Sequence, residues 1–336
     1  MKKRILLSHG SGGRLSRELV ERVFLRHFDN ELLAPLDDQA VFGVGASRLA
    51  FTTDSYVIDP LFFPGGDIGR LSVCGTVNDL AVGGAEPLYL SAAFIIEEGL
   101  ELDVLERVVE SMAAAARGAG VKVVTGDTKV VERGKGDGLF INTAGVGVVR
   151  DGVELSPGRI APGDRVIVSG ALGDHAVAVL TRREGLEMDA PVESDCAPLN
   201  GLVAEILDEA GPEVKAMRDP TRGGLATVLN EFAAASGRGV LVREEAVPVR
   251  EAVRGACEML GFDPLYLANE GKVVVVAAEE AAERIVGRMR SHELGRDAAV
   301  IGEVTAENAG RLIVETCIGN RRIADMLSGE QFPRIC

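Results

Sequence analysis

The stretch LDVLERVVESMAAAARGAGVKVVTGD, residues 102–127, carries the alternation that decides the fold. Leu102, Leu105, Val109, Met112 and Ala116 recur at helical spacing, so its first part predicts an amphipathic helix ending near Gly118 and Gly120. Val121 to Thr125 then reads as a strand of branched residues, stopped by Gly126 and Asp127. Outward from this unit the same elements repeat. Leu15, Leu19, Val23 and Phe24 form a helical face after Gly10-Ser11-Gly12-Gly13, and 50–53, 88–96 and 140–149 are β-like runs bounded by glycine. Pro157, Gly158, Pro162 and Gly163 break the chain before a strand over 165–169. Beyond the break, helices are predicted over 199–209, 224–235 and 279–292, with strands over 272–277, 299–304 and 311–315. The expected class is mixed α/β (α+β), with two domains, 1–156 and 157–326, in keeping with ~150 residues per domain. The last ten residues, 327–336, are too short and too interrupted to form an element, and a mobile tail is expected.

Composition narrows the function classes. Gly accounts for 41 of 336 residues, and 46% of the chain is apolar, which excludes disorder and collagen-like structure. The apolar runs at 89–96 and 273–278 fall far short of the ~20 residues that span a bilayer. Ile5-Leu6-Leu7 is too short for a signal-peptide core, so a cytoplasmic protein without a membrane partner is expected. A net charge of −15 argues against nucleic acid as a partner. A small anionic substrate would then call for a metal ion. The five cysteines include no C-x-x-C, so neither a zinc knuckle nor a disulfide framework is expected. Four of them, Cys74, Cys196, Cys257 and Cys317, sit among apolar or small residues, whereas Cys336 ends the chain.

Neither a P-loop nor a complete G-x-G-x-x-G is present. Acidic residues instead recur at the ends of apolar stretches: Asp37-Asp38, Asp54, Asp79, Asp127 and Asp219. Each alone reads as a turn former or helix cap. Five with one flanking pattern point to a shared edge, where hard oxygen ligands suit Mg²⁺ bound with substrate phosphates. Gly10 to Gly13 and Arg222-Gly223-Gly224 each open a predicted helix, a setting that favours a phosphate. Lys129 and Glu270 are candidates for proton handling or charge stabilisation, against the alternative of solvated loop residues.

Taken together, these segments resemble the hydrogenase maturation factor HypE family of the aminoimidazole ribonucleotide synthetase superfamily. The resemblance spans nearly the whole chain. It rests on His9 to Gly13, Asp37-Asp38, Thr52-Thr53-Asp54, Val77 to Pro87, Gly126-Asp127-Thr128-Lys129, Asp219 to Gly224, Asn269-Glu270-Gly271 and the ending Pro333-Arg334-Ile335-Cys336. It implies an N-terminal ATP-binding domain that dimerises through a β-barrel, a C-terminal α/β domain, and a tail whose cysteine carries the substrate. It further implies that Cys336, carbamoylated by a HypF-like carbamoyltransferase, is dehydrated to a thiocyanate with ATP, the nitrile passing to iron on a HypC–HypD-like complex. By motif it assigns Asp38, Asp54, Asp79 and Asp219 to magnesium, and Gly10, Gly12, Gly13, Asn78, Asp127 and Arg222, with Asp54, Asp79 and Asp219, to the nucleotide. Glu270 becomes the base, Lys129 its assistant and Cys336 the reacting thiol. Apart from the resemblance, the charge of Arg334 is expected to pair with an acidic cleft or a partner and modestly favour the thiolate. Superfamily enzymes with a diffusible substrate, such as thiamine monophosphate kinase or selenophosphate synthetase, leave the Pro-Arg-Ile-Cys ending unexplained. A non-catalytic cysteine carrier leaves the acidic motifs unused.

Overall fold

The computed structural model describes residues 4–10, 12–28, 30–186, 188, 190–327 and 334–336. An N-terminal arm with the short helices α1 (Arg14–Leu19) and α2 (Arg26–Phe28) leads into a five-stranded sheet. That sheet runs β1-β2-β7-β5-β6, from β1 (Ala40–Val44), β2 (Ser47–Tyr56), β5 (Ala85–Glu97), β6 (Lys122–Val131) and β7 (Leu139–Val149). A small hairpin, β3 (Phe62–Phe63) with β4 (Gly66–Asp67), precedes α3 (Ile68–Val82). Among the described residues of the five-stranded sheet, β5 and β6 form the parallel pair, joined by α4 (Leu102–Ala119). The amphipathic helix read in the sequence ends where Gly120 adopts φ 72°, a left-handed conformation that a side chain resists.

Helix α3 carries no periodic signal because it has no outer face. Thirteen of its fifteen residues are buried, and a helix apolar all round belongs to an interior. Its start is capped by Asp67, which accepts from Gly69 N at 2.7 Å and Arg70 N at 3.0 Å.

The second half folds around a seven-stranded sheet of order β14-β13-β10-β12-β8-β11-β9. Its strands are β8 (Arg165–Val168), β9 (Val214–Arg218), β10 (Gly239–Arg243), β11 (Val274–Ala277), β12 (Ala299–Thr305), β13 (Leu312–Glu315) and β14 (Arg321–Ile323). Helices α5 (Asp174–Glu184), α6 (Asn200–Ala210), α7 (Gly224–Ser236), α8 (Glu251–Leu260) and α9 (Glu279–Ser291) complete it. Along β11 every residue is buried, because α7 and its neighbours cover one face and α6 with α9 the other. Among the described residues no helix is long and apolar enough to cross a membrane.

Two expectations are corrected. Cys317 is exposed, its thiol 3.5 Å from Glu244 Oε2, because it falls in the turn between β13 and β14 rather than in a core. The end of the chain is seated, not free: Ile335 and Cys336 are buried within the core that includes α3 and α5. Residues 328–333 of the expected tail lie outside the described residues.

Candidate active site

Alternation along β2 sends Ala50, Thr52 and Tyr56 inward and leaves Phe51, Thr53 and Ser55 exposed, so Asp54 shares the inner face with Thr52. Asp79 follows from α3, Asp38 from the segment before β1, and Asp219 from the end of β9. Thr52 Oγ1 lies 2.7 Å from the Asp38 carbonyl and 2.9 Å from Asp79 Oδ2. A hydroxyl has one hydrogen. Given to the carbonyl, it leaves a protonated Asp79 to donate to the threonine oxygen. The electrostatics agree, since burial, then Asp219, Asp38 and Asp54, push the Asp79 carboxyl well above its usual range. Burial and then Asp38 push Asp219 up to about 8. Burial likewise raises Asp54, against the opposing pull of Arg222.

The nearby cations are already engaged. Arg218 donates to Asp38 Oδ2 at 3.0 Å, lies 3.5 Å from Asp37 Oδ1 and also bonds Glu231. Arg222 donates from Nε to Cys336 Sγ at 2.8 Å and from Nη1 to the Gly10 carbonyl at 3.1 Å. The carboxylates of Asp38, Asp54 and Asp219 lie near enough to act on Asp79, and carboxylate oxygens are the donors that a hard cation prefers. Among the described residues no three such side chains are gathered as a metal cage. That arrangement fits Mg²⁺, which takes one or two carboxylates and completes its shell with phosphate and water.

In the metal-free protein these raised values have a stability consequence. A carboxyl that keeps its proton when folded binds more protons than the unfolded chain above its ordinary pKa, so stability falls as pH rises. For Asp219 the window runs from 3.8 to about 8. Asp219→Asn is therefore expected to raise the melting temperature at neutral pH in chelator, with little gain at acid pH. Thermal unfolding at the two pH values checks this, and equal melting curves would contradict it.

Cys336 enters the same region from the other end of the sequence. Val57 N donates to its terminal oxygen at 3.1 Å, and Asp59 N donates to the Arg334 carbonyl at 3.3 Å. Arg183 also donates to that carbonyl, at 2.7 Å, and the His175 ring lies 2.8 Å from the Ile335 carbonyl. Arg334 itself pairs with Asp137 and donates to the Val57 carbonyl at 2.7 Å. The expected help of Arg334 to the thiolate is thus corrected, because Arg222 contacts the sulfur. Burial dominates even so and pushes the thiol up to about 12, so the unmodified cysteine rests as a protonated thiol.

Glu270 stands on the approach to β11. It is 2% exposed, and its Oε1 has no hydrogen-bond partner among the described residues. Burial, with Asp219, Asp195 and Asp54 nearby, holds its carboxyl well above the usual range. Its backbone is fixed instead. Asp195 accepts from Glu270 N at 3.1 Å and from Gly271 N at 3.3 Å, and pairs with the buried Lys272 at 3.1 Å. A carboxyl with a free oxygen, a fixed backbone and a raised pKa suits proton transfer.

Other expected site residues take different places. Asn78 is fully buried and does not face the cleft. Its amide donates to the Ala197 and Glu270 carbonyls at 3.1 and 3.4 Å, and its oxygen accepts from Leu199 N at 2.7 Å. It locks α3 to the chain around Glu270. Gly12, at φ 75°, lies over Arg222, where a Cβ would meet the Arg222 Cβ at 2.7 Å, and Gly13 lies against the Leu327 carbonyl, with no room for a side chain. Gly10 has open space. Asp127 and Lys129 stay apart from the cluster, exposed on β6 and ion-paired at 2.6 Å. Register places them away from α3 and α4: buried Ala92 pairs with Gly126, and exposed Ile95 with Lys129. His175, Ser194, Asp195, Arg183 and Asp137 escaped the sequence reading, since nothing local distinguishes them from loop and helix residues.

Residues 36–149 match the family described as AIR synthase related protein, N-terminal domain, and residues 161–315 its C-terminal domain. The chain is similar to carbamoyl dehydratase HypE of Azotobacter vinelandii, 56% identical over 98% of this chain and 96% of the relative. It resembles the solved structure of a HypE-HypF complex, with a TM-score of 0.88 and 50% identity over 92% of this chain and 99% of that one. It also resembles HypE solved in complex with ATP, with a TM-score of 0.83 and 51% identity over 99% and 100% of the two chains. With similarity over that length and both domains matched, the chain belongs to the carbamoyl dehydratase HypE family of AIR synthase related proteins.

Proposed function

We propose that this chain is an ATP-dependent carbamoyl dehydratase of hydrogenase maturation whose substrate is a carbamoyl group on its own Cys336, converted there to a thiocyanate. The observation that carries the reading is the seating of Cys336 Sγ on Arg222, 2.8 Å from Nε, beside Glu270 and the acidic cluster. An S-carbamoyl oxygen is a poor leaving group. Transfer of the ATP γ-phosphoryl group to it releases ADP and sets up loss of phosphate. One N–H proton departs as the C=N bond forms, and Glu270 takes the second as the C–O bond breaks and the nitrile is completed. Asp54, Asp79 and Asp219, with Asp38, would hold Mg²⁺, which supplies charge neutralisation at the phosphates. Arg222, through its contact with the sulfur, holds the carbamoylated cysteine in position for these steps. Intact mass of the C-terminal peptide tests the reading, after the protein is given a carbamoyl donor, a HypF-like carbamoyltransferase and ATP. Gain of a carbamoyl group followed by loss of one water is expected; a carbamoyl adduct that persists with ATP would refute it.

The HypF-like enzyme loads the cysteine, and a HypC–HypD-like iron complex receives the nitrile. The working unit is a homodimer. One face of the five-stranded sheet leaves Phe51 and Ile95 exposed, and edge strand β6 is exposed along all but its last residue. An unpaired apolar edge of this length calls for a cover. A second copy meeting the same face supplies one by symmetry, and Lys129 and Asp127 reach the chemistry only through such a pairing. Sedimentation at micromolar concentration is expected to show a dimer, and Ile95→Asp a monomer. A monomeric parent protein would sink the pairing.

A further inference from the structure

The buried imidazole of His175 lies between the tail and the loop that holds Glu270. It is fully buried at the start of α5, with Nε2 2.8 Å from the Ile335 carbonyl and Nδ1 2.8 Å from Ser194 Oγ. The tautomer follows from the partners. A carbonyl can only accept, so Nε2 carries the hydrogen. Ser194 Oγ accepts from Cys196 N at 3.1 Å, which leaves its own hydrogen for Nδ1. Burial lowers the His175 pKa, in keeping with a neutral ring.

We infer that His175 is a positioning residue for the reacting cysteine: its Nε2–H grips the carbonyl of the residue before Cys336 and sets the sulfur against Arg222 and Glu270, while Ser194 fixes the ring. The inference deepens the proposed function and rests on it for its kinetic arm. The same loop serves both reactants, because Ser194 orients His175 and the adjacent Asp195 holds the backbone of Glu270. Tail and base therefore share one support. The grip reads the backbone rather than a side chain, and it is a single neutral hydrogen bond, so the cysteine can be released for loading and delivery without breaking a buried ion pair at this point.

The experiment uses the full-length protein and follows the C-terminal peptide by mass, because exposed Cys317 also reacts. Iodoacetamide labelling of Cys336 in nucleotide-free protein is compared for the parent, His175→Leu, His175→Gln and Ser194→Ala. Glutamine keeps a donor near the Nε2 position; leucine does not. Labelling of the leucine variant is expected to rise about tenfold, the equivalent of one lost hydrogen bond. Single-turnover dehydration of the carbamoylated protein is expected to fall by a similar factor, and ATP affinity to stay unchanged. Glutamine should restore both rates toward the parent, and Ser194→Ala should fall between. Labelling of a folded leucine variant at the parent rate would overturn the inference, as would failure of glutamine to rescue. Should the leucine variant not fold, Ser194→Ala against the parent decides: faster labelling supports the grip and an unchanged rate overturns it. A labelling difference in a parent that forms no nitrile would refute the proposed function and leave the seating role standing.

Discussion

Cys336→Ala is expected to bind Mg–ATP with the affinity of the parent protein and to form no protein-bound nitrile at all. The substitution removes one sulfur that touches the cleft through Arg222 and leaves Asp38, Asp54, Asp79, Asp219 and Glu270 in place. It also leaves the backbone seat of the tail, since the bonds from Val57, Asp59, Arg183 and His175 go to main-chain oxygens. The thiol it loses is protonated and carries no charge, so the charge around Arg222 and Asp54 is unchanged and nucleotide binding has no reason to weaken. Calorimetric titration with Mg–ATP and intact-mass analysis after carbamoylation check the two halves separately. Nitrile on the alanine variant would place the acceptor elsewhere in the chain and end the reading of Cys336 as substrate carrier.

Those residues were legible to different degrees, for physical reasons. The acidic positions could be read because they stand at the ends of apolar runs. Asp219 directly follows strand β9, whereas Asp54 lies within β2 and Asp79 on α3, so their place beside it follows from packing and not from strand ends. The terminal cysteine could be read because the ending belongs to a family pattern. Helix α3 could not be read by period, for a helix buried on all sides has no apolar stripe. The seating of Arg334 to Cys336 was hidden because its partners are backbone groups of 57–59 and side chains of α5, contacts that no local window contains. Asn78 was misplaced because its motif neighbour Asp79 faces the cleft, whereas one residue of helix rotation turns Asn78 toward Ala197 and Leu199. For Lys129 the sequence yields the residue but not its side of the sheet. That side follows from the register of β5 on β6, which a bulge between Leu90 and Ser91 shifts by one residue.

Glu270→Gln is expected to fold, bind Mg–ATP and accept the carbamoyl group, yet to dehydrate it about 10²–10⁴-fold more slowly, the usual loss when a general base is removed. The amide matches the carboxyl in shape, and the hydrogen bonds that fix this residue run through its backbone to Asp195 and Asn78, so both should persist. What goes is the proton acceptor at the buried Oε1, which has no hydrogen-bond partner among the described residues. Carbamoylated Cys336 should therefore accumulate in the presence of ATP. The pH dependence separates this loss from a distorted site. A carboxyl held above its ordinary pKa is protonated and idle on the acid side and becomes a base as pH rises, so the parent rate should climb with pH and level once the carboxyl is ionised. In the glutamine variant nothing titrates at that position, and the residual rate should lose that climb. Single-turnover mass measurements at several pH values test both statements together. A variant that keeps the parent's rise at a reduced rate would show that another group takes the proton, and one that matches the parent in rate would remove Glu270 from the chemistry.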